Sequence, residues 1–450
     1  MKLHKWITVS VLLAAAYTIT FLVPLGWIAA IVIPIAIIIY LFVPFGGTAT
    51  DVWTKTRTEI KDASTRDVKI DAELDILGDK KIKVAVGLSG GVDSAVSALL
   101  LQQLGYEVEG FFMVNWDSKE NGEFIGIDME EVCTQTLDFA DAKKVADHLN
   151  IKLTKVNFVK EYREKVFNSF LADMEAGITP NPDVLCNRYI KFGAFTDQIF
   201  KNNPDIDYVA TGHYANIAFK KGKYFLSSAL DQTKDQTYFL AEIDKDILHK
   251  VKFPLANYTK KEVREIAEKH NIPVMHKEDS MGICFIGERN FSQFLSNYFE
   301  PNPGDIVDTE TDKVVGQHNG IVFFTIGQRK GLDIGGHHKP YFVTGKDKAN
   351  NIVYVTQGKT NDKLFTRDAY ATNFNLLVDQ SVVSGKVIFK VRHSHGKYKG
   401  IVKSFDGKSI HIESLEEVHA ITPGQELVLY KKGIVLGGGK IISKEHYESI

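Results

Sequence analysis

Residues 82–94 constrain the fold of this 450-residue chain more than any other stretch. Residues 82–88, IKVAVGL, form an apolar run of the kind found in a strand buried on both faces. Apolar spacing from Ala95 to Leu104 predicts a helix. Between them lies Ser89-Gly90-Gly91-Val92-Asp93-Ser94. A strand, a glycine loop and a helix start together make an anion site, because uncommitted backbone N–H groups and the helix dipole point at one place. Glycine lets the main chain approach phosphate oxygens without a Cβ in the way. Ser89 and Ser94 add hydroxyl donors, and Asp93 can hold a magnesium ion or cap the helix.

No Gly-Lys-Ser/Thr follows, so this is not a Walker loop, and the Gly-x-Gly-x-x-Gly dinucleotide fingerprint is also missing. The SGGxDS pattern after a strand instead resembles the pyrophosphate loop of ATP pyrophosphatases, which cleave ATP between its α and β phosphates. Strand patterns at 108–113, 152–156 and 208–211 alternate with helical ones such as 140–149. That alternation predicts an α/β fold, a doubly wound parallel sheet with its ligand at the carboxyl ends of the strands.

The chain carries 54 Lys+Arg against 56 Asp+Glu, a formal net charge of −2, so nucleic-acid binding must use a local patch. Hydrophobicity is also segregated. Residues 6–50 contain no Asp, Glu, Lys or Arg. A bilayer span needs about 20 apolar residues, so this run holds two, turning at Pro24-Leu25-Gly26. Lys2 and Lys5 before it and Lys55, Arg57 and Lys61 after it put both ends on the cytoplasmic side. Three readings compete with this transmembrane hairpin. A cleaved signal peptide would be shorter; a single long span would break at Pro34; a soluble hairpin would lack a polar face. Residues 51–79 read as a linker.

Three cysteines exclude a disulfide scaffold. Cys186 ends the proline-punctuated TPNPDVLC and precedes a helical pattern at 188–200. A thiol near a helix start has more of the reactive thiolate, and Asp183, three residues earlier, is a candidate proton carrier. The plainer reading is a small buried cysteine. Cys284 sits between glycines, 98 residues on, and two loop cysteines beside an ATP loop suggest sulfur chemistry through a persulfide. Cys133 lies in a helical run and reads as packing; no two cysteines have zinc-ligand spacing.

LSGGVDS, EGFFMVNW, TPNPDVLCN, ATGHYA, DQTKDQTYFL, DSMGICFIGERNF, TIGQRKGLDIGG and TPGQELVLY occur in that order. Together they resemble the tRNA-specific 2-thiouridylase (MnmA/TrmU) family from about Lys80 to the C-terminus. The resemblance implies ATP-dependent conversion of the anticodon wobble uridine to 2-thiouridine. It implies an ATP pyrophosphatase domain over 80–284, a small mixed domain over 285–365 and a tRNA-contacting β-barrel over 366–450. It makes Cys186 the nucleophile, Cys284 the persulfide carrier and Asp183 the acid/base. Gly87, Leu88, Ser89, Gly90, Gly91, Val92, Asp93, Ser94, Met113 and Gly212 would form the ATP site, with magnesium at Asp93. Asn181, Pro182 and Asp183 would meet the target base, and Lys234, Asp235, Gln236, Arg392 and His393 would contact tRNA. The partners implied are tRNA and a sulfur-donor protein such as a cysteine desulfurase or sulfur carrier, with the membrane added by the N-terminal run.

The family also gives context to an acid-free stretch from Lys386 to Lys403 that carries six Lys and Arg residues. There Lys390, Arg392 and Ser394 alternate with Phe389, Val391 and His393, which predicts a strand with one cationic face. Its plainer reading is a solvated edge. The loop 118–128 looks long for the family. Two other functions compete: a membrane-anchored tRNA-binding scaffold without turnover, and a synthetase that adenylates a small molecule. The second has no use for two loop cysteines.

Overall fold

The computed structural model describes residues 81–117, 134–279, 291–336 and 339–450. The expected membrane hairpin, the linker, Cys133, Cys284 and the loop 118–128 lie outside them. The chain divides into two units, Met1–Gly78 and Asp79–Ile450, and all that follows concerns the second. Among the described residues no helix is long and apolar enough to cross a membrane.

Strand β1 (Lys83–Gly87) leads through the serine–glycine loop into α1 (Val92–Gln103). Then come β2 (Glu107–Val114), α2 (Thr134–Leu149) and β3 (Leu153–Asn157). A long helical run returns the chain across the sheet: α3 (Val159–Tyr162), a π-type stretch, α4 (Asn168–Glu175), α5 (Pro182–Cys186), a second π-type stretch (Asn187–Ala194) and α6 (Phe195–Asn202). Strand β4 (Tyr208–Ala210), the hairpin β5 (Asn216–Lys220) and β6 (Lys223–Ser227), β7 (Val251–Lys252) and α7 (Lys260–Lys269) follow.

The first sheet has the order β3-β2-β1-β4-β7 and every pair in it is parallel. Val84, Ala85 and Val86 at its centre are fully buried, as their unbroken apolar run requires. The chain leaves β1 toward β2 and β3 and returns on the other side to β4, so the order reverses at β1. In open parallel sheets the ligand site lies at such a reversal, beyond the carboxyl ends of the strands. An aromatic layer packs on the helical side, with Trp116 edge-on to Phe167 at 4.7 Å between centroids. Burying each such ring contributes about 1.5–3 kcal/mol.

The central strands β8 (Gly304–Asp308), β9 (Lys313–His318), β10 (Tyr341–Asp347) and β11 (Ile352–Gln357) make a separate sheet of order β10-β11-β8-β9 around Ile306, Val343, Val353 and Val355. The last six strands are β12 (Phe365–Leu376), β13 (Gly385–Lys390), β14 (Tyr398–Phe405), β15 (Ile410–His419), β16 (Glu426–Lys431) and β17 (Ile434–Ile442). Their order is β12-β15-β14-β13-β16-β17, and β12 also pairs with β17, which closes a barrel and removes its edges. Closure needs close approach: a Cβ on Gly437 would lie 2.0 Å from the Asn375 carbonyl oxygen. Strand β17 also meets β6 at Ile434 and Ser227, so the barrel and the first domain share hydrogen bonds.

Candidate active site

The nucleotide loop is held from inside. The Ser89 N–H donates to Ser94 Oγ at 3.2 Å, and Ser94 Oγ donates to the Gly91 carbonyl at 3.0 Å. Gly90 has φ +79°, and a Cβ there would stand 2.3 Å from the Asp138 carbonyl oxygen, so only glycine fits between loop and α2. A Cβ on Gly212 would meet the Ser94 nitrogen at 2.7 Å, which brings the turn after β4 onto the start of α1. Gly87 and Met113 face each other on adjacent strands, a Cβ on the first lying 3.2 Å from Cε of the second. Gly91 precedes helix α1 as its N-cap residue and offers no side-chain cap. The first N–H groups of α1 therefore lack the usual acceptor, which is what an anion-binding helix start requires. The residues present fit a nucleotide phosphate.

Asp93 sits in the first turn of α1, and both its oxygens are taken by the Lys260 ammonium, at 2.8 and 2.9 Å. Tyr214 donates its hydroxyl to Asp93 Oδ1 at 3.1 Å; burial, and next the Asp93 charge, push that phenol up. Lys260 also lies 2.6 Å from Asp279, which accepts from Arg264 at 2.8 Å and from Lys234 at 3.1 Å. Against partial burial, the Lys260 and Lys234 hydrogen bonds hold the Asp279 carboxyl down at about 2. Two residues earlier, Lys277 donates to the Gly90 carbonyl at 3.1 Å and pairs with Asp138 and Asp141. Among the described residues no group of three or more His, Cys, Asp or Glu could hold a metal. A magnesium ion would thus rely on one carboxylate plus phosphate oxygens, as that ion commonly does.

Cys186 is fully buried and is the last residue of α5, not one beside a helix start. The helix begins at Pro182, whose fixed φ suits a first helical position, and it runs straight on through Asn187–Ala194. Asp183 lies in its first turn, three residues before Cys186 and thus on the same face. The preceding loop hangs on the barrel. The Thr179 N–H donates to the Pro423 carbonyl at 3.1 Å, and Gln425 Nε2 donates to the Thr179 and Pro180 carbonyls at 3.1 and 3.3 Å.

The expected cationic strand face is not formed as such. Strand β13 ends at Lys390, whose ammonium turns back to the His393 carbonyl at 2.8 Å. The Arg392 guanidinium donates to the Ile326 carbonyl at 2.8 Å and to Thr422, joining the central domain to the barrel. Burial pulls that guanidinium below its ordinary range. His393 lies over Phe239 at 4.5 Å between ring centroids, beside the Lys234 stretch. Of that stretch, Lys234 is outward, Asp235 is buried and bonded to Thr237, and Gln236 accepts the Tyr214 N–H at 2.9 Å.

Residues 82–288 match the family model described as tRNA methyl transferase HUP domain. Residues 292–357 match its PRC-barrel domain and residues 366–441 the aminomethyltransferase beta-barrel domain. A tRNA-specific 2-thiouridylase of Malacoplasma penetrans is 47% identical over 364 residues, covering 80% of this chain and 98% of that protein. Proteins of the same name from Mycoplasma capricolum subsp. capricolum and Oceanobacillus iheyensis are 46% and 44% identical, each over 80% of this chain and over 98% and 95% of their own lengths. The chain belongs to the tRNA-specific 2-thiouridylase family. A solved NMN synthetase from Francisella tularensis covers 47% of this chain and 70% of its own, at 16% identity and a TM-score of 0.26.

Within this 2-thiouridylase family member, the motif residues of the loop, β2 and the turn after β4 come together, whereas Cys284 falls outside the described residues. Lys260, Asp279, Tyr214 and Lys277 were not legible as site residues, although three of them stand inside or next to quoted motifs. Asn115 was also missed. It is fully buried just past the end of β2, and neither end of its carboxamide has a partner among the described residues. A buried amide without partners is costly, so it is a candidate for contact with a bound base.

Proposed function

We propose that this chain thiolates C2 of the wobble uridine in a tRNA anticodon, at the expense of ATP. What supports this reading is one combination: an uncapped helix start carrying SGGVDS at the carboxyl end of β1, in a chain 47% identical to a tRNA-specific 2-thiouridylase over 98% of that protein's length. The C2 carbonyl is a poor electrophile, so its oxygen is first adenylated. Pyrophosphate leaves toward the N–H groups and hydroxyls of Ser89–Ser94, beside Gly87, Leu88, Met113 and Gly212. Magnesium entering with ATP would be held by Asp93 and supplies neutralisation of phosphate charge.

The terminal sulfur of a persulfide on Cys284 attacks C2, and AMP departs. The Cys186 thiolate then attacks the Cys284 sulfur, releasing 2-thiouridine and leaving a Cys186–Cys284 disulfide that a dithiol reductant resets with two electrons. Asp183 moves the proton, and Asn181 and Pro182 shape the entrance for an everted base. Lys234 and His393 lie on the tRNA side. Asp235, Gln236 and Arg392 contribute by holding the loops around them. A separate protein, such as a cysteine desulfurase or sulfur carrier, loads the persulfide, and residues 6–45 tether the chain to the cytoplasmic face of a membrane.

The test incubates the purified chain with ATP, magnesium, a persulfide donor, a dithiol and unmodified tRNA, and reads 2-thiouridine in the digested nucleosides by mass. Cys186→Ser and Cys284→Ser should each abolish the product while tRNA affinity stays within about threefold. A wild-type chain that binds tRNA but never thiolates it would turn the reading toward a scaffold.

A further inference from the structure

Lys260 is the first residue of α7, the end of a helix where the macrodipole disfavours a cation. That helix is already capped: Thr259 and Glu262 form a reciprocal capping box, and Asp231 accepts the Lys260 N–H at 3.0 Å. The ammonium is therefore not needed by its own helix. It reaches across to both oxygens of Asp93, 167 residues away, with only 15% of the side chain exposed. Asp279 holds it from the other side at 2.6 Å, and the Tyr214 ring lies 5.9 Å away.

Asp93 is the sole acid of the Ser89–Ser94 loop. A bare carboxylate in the first turn of α1 would repel a triphosphate approaching the same N–H groups, strongly so at a partly buried site. We propose that Lys260 is a positioning residue of the nucleotide loop: it neutralises and fixes Asp93, and acts on ATP through that carboxylate rather than by touching the nucleotide. Asp279 keeps the ammonium in place by its second ion pair. This rests on the ATP-dependent reading of the loop.

The experiment is a double-mutant cycle on ATP affinity, measured by calorimetry without magnesium so that no metal can stand in for Lys260. Lys260→Met should weaken ATP binding about tenfold, and Lys260→Arg should restore most of it. In an Asp93→Asn background the same Lys260→Met change should cost less than about twofold, because the charge it neutralised is gone. With magnesium present, Lys260→Met should raise the KM for ATP more than it lowers kcat. A tenfold loss that persists beside Asp93→Asn overturns the proposal, since the ammonium would then touch phosphate or merely support the fold. Unchanged affinity in Lys260→Met also overturns it. A wild-type chain that binds ATP but leaves tRNA unthiolated overturns the proposed function alone, and the cycle still decides the role of Lys260.

Discussion

The backbone N–H of Thr179 donates to the carbonyl of Pro423, 3.1 Å away, so the loop leading to Cys186 is fastened to the C-terminal barrel. Two further barrel residues reinforce the joint. Gln425 donates to two carbonyls of that loop, and Lys440 pairs with Asp173 at 2.5 Å. The barrel is thereby a structural wall of the Cys186 region as well as a candidate tRNA surface.

Gly424 tests that joint. It has φ +93°, and a Cβ there would lie 2.2 Å from Ile178 Cγ2 and 2.7 Å from the Thr179 carbonyl oxygen. Gly424→Ala should therefore cost about 1–3 kcal/mol of stability in backbone strain and clash. Thermal denaturation reads that loss. Thiolation should fall further than ATP affinity, because the displaced segment leads to Asp183 and Cys186 and not to the nucleotide loop.

The same joint should respond to pH. Glu426, the first residue of β16, is buried, and burial, followed by the Glu242 charge, pushes its carboxyl well above the ordinary range. The folded chain then keeps a proton that the unfolded chain loses once pH passes about 4.5. Stability accordingly declines as pH rises from that value to the folded pKa, and levels off above it. Glu426→Gln should flatten this slope in denaturant titrations and leave the protein more stable than the wild type at pH 8. An unaltered slope would mean that Glu426 does not hold the proton.

Local signals carried much of the fold. The buried run before the SGGVDS loop is β1, the apolar spacing after it is α1, and the strand patterns at 108–113, 152–156 and 208–211 fall on β2, β3 and β4. The start of the Cys186 helix was legible too, since Pro182 suits a first helical position, but the proline was read as loop punctuation. Lys260 and Asp93 could not be paired by any local rule. They stand 167 positions apart and meet only because the order of the sheet reverses at β1. Alternation also misled at Arg392, since a period of two does not say where a strand ends; β13 stops at Lys390 and the guanidinium turns inward.

Arg392 and Lys399 should separate stability from RNA contact. Arg392→Met leaves the Ile326 carbonyl and the Thr422 hydroxyl without their charged donor, and should destabilise the fold by about 2–3 kcal/mol. Lys399 is exposed on β14. Lys399→Gln should leave the melting temperature unchanged, weaken tRNA binding and reduce the slope of its salt dependence by about one ion. A salt slope lowered by Arg392→Met at unchanged melting temperature would instead place that guanidinium on the RNA.

The chain divides at Gly78 into Met1–Gly78 and Asp79–Ile450. Every contact described at the nucleotide loop, at Cys186 and at the barrel joins residues of Asp79–Ile450. A chain starting at Asp79 should therefore keep thiolation in solution, with kcat/KM within about twofold of the full-length protein. The uncharged run at 6–50 should matter only for location. Flotation with lipid vesicles should carry the full-length chain upward and leave the truncated one behind. Equal flotation of the two would remove the membrane role from the N-terminal run, and a large loss of kcat/KM on truncation would give that run a part in catalysis.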